Sequence, residues 1–90
     1  MKKIKRVVVL SDVAYDLNAG KTFYEHKEPG VGDYFWDSLM ADIKSLVLYG
    51  GIHVVKKGYY RVAAKRFPYY IYYTIEGDVA YVMAVLPMRK

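Results

Sequence analysis

Apolar and polar positions change period twice along this chain. The first run, IKRVVVL over 4–10, is rich in β-branched residues and predicts a strand, with Ser11 or Asp12 placed to cap a following helix. Within 12–26, Val13, Leu17, Gly20 and Tyr24 recur at helical spacing, with Ala14 and Phe23 beside them. Gly20 weakens that helix but permits a close approach by a neighbouring element. Pro29-Gly30 then stops the chain. A second helix is predicted over 33–48, where Phe35, Leu39, Ile43 and Leu46 form a stripe widened by Trp36, Met40 and Val47. Asp33 suits its N-cap, and Gly50-Gly51 its end.

From Ile52 onward the period drops to two. Val54 and Val55 suit a short strand, and longer strands are predicted over 59–66, 69–76 and 79–86, with a turn at Phe67-Pro68. In the first of these, Tyr60, Val62 and Ala64 face one way, and Tyr59, Arg61, Ala63 and Lys65 the other. Gly77-Asp78 reads as a two-residue type II′ hairpin loop. The expected order is β-α-α-β-β-β, an α+β fold with a helical hairpin packed on one face of an antiparallel sheet, in a single domain over 1–90.

That hairpin register sets Glu76 opposite Val79, Tyr73 opposite Val82 and Tyr70 opposite Val85, and opposed residues share a face. One face then carries Tyr69, Ile71, Tyr73, Ile75, Ala80, Val82, Ala84 and Leu86, and its small alanines suit a helix-covered core. The other carries Tyr70, Tyr72, Thr74, Glu76, Val79, Tyr81, Met83 and Val85. A sheet covered on one side only exposes this second face, a tyrosine-rich patch of the kind that meets partners; the plainer alternative is cross-strand pairing that merely stabilises the sheet.

Composition narrows the partner. Fourteen Lys and Arg against nine acids give a net charge of +5, which favours contact with nucleic acid, a ribosome or an acidic protein segment. No cysteine is present, so disulfides and thiolate metal sites are excluded. No apolar run approaches the roughly 20 residues of a membrane span, and a cytoplasmic protein is expected. His26 and His53 lie far apart with no ligand spacing, so neither a metal nor a cofactor is expected. Glu25, Glu28 and Asp33 read as solvated loop acids, whereas Lys2, Lys3, Lys5 and Arg6, like Lys56-Lys57, suit either anion steering or a protected edge.

Several stretches together resemble the RelE/ParE superfamily of toxins from type II toxin–antitoxin pairs. They are Arg61, the run Lys65-Arg66-Phe67-Pro68-Tyr69 with Ile71 and Tyr73, and the strand Tyr81–Val85 ending near Arg89. Upstream, Gly32, Phe35, Leu39 and Ile43 resemble the second helix of such toxins, and Ser11, Ala14, Asp16 and Leu17 the first. The resemblance implies a small basic toxin held inactive by an acidic antitoxin, as in plasmid stabilisation. RelE-like members are mRNA interferases that cleave in the ribosome, and ParE-like members inhibit DNA gyrase. A toxin homodimer and a heterotetramer with the antitoxin both stay open.

Metal-free RNA cleavage needs activation of the 2′-OH and stabilisation of the charged phosphate. The RelE-like pattern would assign that work to Arg61, Lys65 and Arg89, with Tyr59 or Tyr60 as the tyrosine. Yet Ala63 stands where a second basic residue would strengthen the cluster, and Tyr70 where RelE-like enzymes carry a further arginine. No tyrosine or histidine follows Arg89 here. This depleted set favours the ParE-like role. In either case the expected partner surface is Tyr59, Arg61, Lys65, Arg66, Tyr70, Tyr72, Tyr81 and Met83, with Arg89 and Lys90.

Overall fold

A computed structural model describes residues 3–88, and the basic residues Lys2, Arg89 and Lys90 lie outside them. The described elements are β1 (Arg6–Val9), α1 (Ser11–Lys27), α2 (Val31–Lys44), α3 (Leu46–Tyr49), β2 (Val54–Lys56), β3 (Tyr59–Ala63), β4 (Tyr69–Glu76) and β5 (Val79–Pro87). The strands form one sheet in the order β1-β5-β4-β3-β2, with the α1–α2 hairpin packed on one face. The α+β architecture is as expected. Because the N-terminal β1 pairs in parallel with the C-terminal β5, the sheet is mixed rather than antiparallel as expected.

The helical stripes face the sheet as their spacing predicts. Val13 and Leu17 from α1, Phe35, Leu39 and Ile43 from α2, and Leu46 from α3 are buried against Ile71, Tyr73, Ala80, Val82 and Val85. Each large apolar side chain sealed this way contributes about 1.5–3 kcal/mol. A Cβ at Gly20 would stand 2.8 Å from the Phe35 ring, which is the close approach its sequence position suggested. Val47 is exposed, so it does not widen the stripe.

Both helix starts differ from expectation. α1 takes Leu10 as its N-cap without a side-chain bond, which puts Ser11 and Asp12 inside the first turn. α2 follows a left-handed Gly30, φ 92°, and its cap comes from the neighbouring helix. The Glu25 carboxylate accepts from the Gly30 N–H at 3.0 Å and the Gly32 N–H at 2.9 Å, so Glu25 is not a merely solvated acid. Asp33 is instead paired with Lys21 at 3.3 Å. The second helix is also interrupted at Ser45, whose hydroxyl donates to the Asp42 carbonyl, and Gly51, φ 94°, turns the chain away after α3.

The strand over 59–66 ends early, at Ala63. Residues 64–68 bend under the helices, where the Lys65 N–H donates to the buried Asp42 carboxylate at 2.9 Å and Phe67 packs among Tyr24, Tyr34 and Phe35. Burial, with the Tyr24 hydroxyl beside it, pushes the neighbouring Tyr69 phenol up to about 12.

The β4–β5 hairpin turns at Gly77, φ 63°, and keeps the expected register from Glu76↔Val79 to Tyr73↔Val82. Beyond that the register shifts, because Tyr72 pairs with Ala84 and Met83 is left over as a bulge. Tyr70 therefore opposes Leu86 rather than Val85. Val85 turns into the core, while Ala84 and Leu86 move to the outer face. Val79, expected on that outer face, is buried where Arg6 pairs beside it.

Candidate partner-binding groove

With the helices on one side, the outer face of the sheet is left open. A groove of about 520 Å³ runs across it, lined by Lys56, Lys57, Tyr59, Arg61, Tyr72, Met83, Ala84 and Leu86. Alternation along the strands brings these residues together. Arg61 pairs with Val54 on one side and Tyr72 on the other, and Tyr72 pairs with Ala84. The bulge adds Met83 and turns Leu86 outward, so the apolar floor owes much of its extent to that one irregularity.

Among the described residues, three cations and no acid line the groove. The Arg61 guanidinium lies over the Tyr70 ring, 4.1 Å from its centroid, and Tyr70 meets Tyr72 edge to face. Lys56 and Lys57 stand at the β2–β3 hairpin, where Lys56 pairs with Tyr59 across a loop of Lys57, φ 53°, and Gly58, φ 87°. Two positive φ values in sequence are the signature of a type I′ turn, and a lysine at the first carries strain.

Of the residues expected to meet a partner, the fold gathers Tyr59, Arg61, Tyr72 and Met83 in the groove, with Tyr70 held beneath Arg61. Tyr70, Tyr72 and Tyr81 are half-buried, none of them sealed inside. Tyr81 shares the outer face but lies outside the groove, between Val8 of β1 and Thr74 of β4. Lys65 and Arg66 sit in the loop after β3, outside the groove lining. Tyr60 stacks on Tyr73 towards the core, 5.1 Å between centroids. Lys56 and Lys57, read from sequence as suiting anion steering or a protected edge, complete the groove with Ala84 and Leu86, which the bulge brings to this face.

On the core side of β4, the fully buried Tyr73 hydroxyl accepts from the Gly51 N–H at 2.9 Å and lies within hydrogen-bonding distance of His53 Nδ1. Partial burial pushes the His53 imidazole below its ordinary pKa. Among the described residues no group of three or more His, Cys, Asp or Glu side chains could hold a metal, and no helix is long and apolar enough to cross a membrane.

A helical hairpin over a mixed five-stranded sheet, its far side open and cation-edged, is a ParE-like fold. The chain is similar to one from the structure of the chromosomal ParDE toxin–antitoxin system of P. aeruginosa, with a TM-score of 0.80 and 16% identity, covering 93% of this chain and 96% of that one. No family profile matches the sequence, and a comparison with curated proteins finds no match.

Proposed function

We propose that the chain is a ParE-like toxin of a type II toxin–antitoxin pair, that it inhibits DNA gyrase in the cytoplasm, and that a cognate acidic antitoxin neutralises it. The fold shared with a component of a ParDE system along nearly the whole chain carries this reading. The groove supports it further. Its apolar floor and cationic margin suit a protein surface, and of the hydrolytic set suggested by sequence Arg61 and Tyr59 line the groove while Lys65 lies outside its lining. Purified protein at micromolar concentration is expected to block gyrase supercoiling, and supercoiling left untouched would refute the target. Growth arrest on expression, relieved by an acidic protein from the neighbouring reading frame, tests the toxin–antitoxin class separately; expression without arrest would mark a non-toxic relative.

One observation favours a second reading. Lys56, Lys57 and Arg61 converge beside Tyr59, which suits a phosphate backbone and the RelE-like, ribosome-dependent cleavage of mRNA. That activity would appear only with ribosomes and vanish in Arg61→Ala.

A further inference from the structure

We propose that His53 and Tyr73 form a proton-sensitive latch that holds the segment leading into β2, and with it the lysine rim of the groove. The segment 50–53 connects α3 to β2, and β2 carries Lys56 directly to the groove. Gly50 and Ile52 donate back to Leu46 and Tyr49 of α3, and the Tyr73 hydroxyl ties the segment to the sheet. Tyr73, with no solvent exposure, accepts from the Gly51 N–H, so its own hydrogen must find an acceptor, and His53 Nδ1 is the atom placed to receive it. That bond requires a neutral imidazole whose proton sits on Nε2.

Protonation of Nδ1 makes it a donor aimed at an oxygen already accepting from Gly51, and the tyrosine hydrogen is left in a dry site without a partner. The latch then disfavours the charged imidazole, in the same direction as the lowering by burial. The His53 ring meets Tyr73 from β4, and Tyr60 from β3 stacks on the Tyr73 ring; the α3 side contributes the Gly51 backbone. The one ion pair among the described residues, Lys21–Asp33, does not involve the imidazole. Among the described residues no salt bridge to the imidazole offsets the cost. Elsewhere β2 is weakly held, a three-residue edge strand with Val54 and Val55 both exposed. Acidification therefore releases the cationic rim while the helix-covered strands stay in place. The inference concerns this segment alone and holds whatever partner the groove takes.

Amide hydrogen exchange, corrected for the intrinsic pH dependence, reads the latch directly. Between pH 7.5 and 5, protection at Gly51 and through β2 is expected to fall about tenfold, the order of effect of one buried donor left unpaired, while β4 and β5 amides hold. In His53→Asn, whose carbonyl accepts but does not titrate, protection is expected to stay flat over that range. Flat protection in the unaltered protein, or the same pH dependence surviving in His53→Asn, would overturn the proposal. Should His53→Asn fold poorly, the imidazole proton shifts followed by NMR in the unaltered protein and in Tyr73→Phe decide it. Tyr73→Phe is expected to raise the His53 pKa, and an unchanged value would overturn the latch.

Discussion

The guanidinium of Arg61 rests over the ring of Tyr70, 4.1 Å from its centroid, and this contact turns a flexible cation into a fixed part of the groove wall. Arg61→Ala is expected to cost the isolated domain only about 0.5–1 kcal/mol, the worth of a partly exposed cation–π pair. Its effect on partner affinity is expected to be at least tenfold. Urea denaturation beside calorimetric titration with the proposed antitoxin or gyrase separates the two, and an affinity that tracks stability alone would remove Arg61 from the proposed interface.

Tyr72 lines the same groove from β4. Tyr72→Asp places a carboxylate on its apolar floor, so the proposed antitoxin complex should weaken while the domain retains its far-ultraviolet circular dichroism. Unchanged affinity would place the partner elsewhere.

Lys57 sets stability against binding at a single position. Its φ of 53° is one that asparagine and glycine adopt more readily in a type I′ turn. Lys57→Asn should stabilise the domain by up to about 1 kcal/mol while weakening association through the loss of a rim cation. Thermal melts and the salt dependence of binding check the two halves.

Gly32 leaves no such latitude. A Cβ there would sit 2.5 Å from the Lys21 carbonyl oxygen, a backbone atom, and against Glu25, which caps α2. Gly32→Ala should cost about 2–3 kcal/mol, since the two helices must separate to admit one methyl. Glu25→Ala, which removes only the cap, should cost about 1 kcal/mol. Denaturant midpoints rank the two.

Stability should decline at both pH extremes. The folded-state pKa of His53 is depressed, so the unfolded chain takes up that proton first, and stability falls as pH drops below about 6.5. Tyr69 is raised to about 12, so its contribution is complete below the ordinary value of about 10 and is lost as pH climbs from 10 through 12. Denaturation at pH 5, 7.5 and 10.5 is expected to show the maximum in the middle.

Much of this fold is legible in the alternation of side chains, and the exceptions have identifiable causes. The stripe of Phe35, Leu39, Ile43 and Leu46 and the turn at Gly77 are local signals, and both hold. The register past Tyr73 does not, because residues 79–86 are apolar on both faces and offer no polar position to pin the pairing. The cap of α2 escaped notice because its donor, Glu25, lies on another helix. The lysine rim needed the Lys57-Gly58 turn, and lysine at a positive φ announces no hairpin. The fold itself is shared with a ParDE component, as the resemblance implied.

Met83 has no pairing partner, and that makes the length of β5 a constraint in its own right. A lineage could exchange Met83 for many other side chains at modest cost. Losing the position altogether would slide the strand's last residues by one, driving Leu86 inward and Val85 into water. In this segment the fold constrains the number of residues more strictly than their kind.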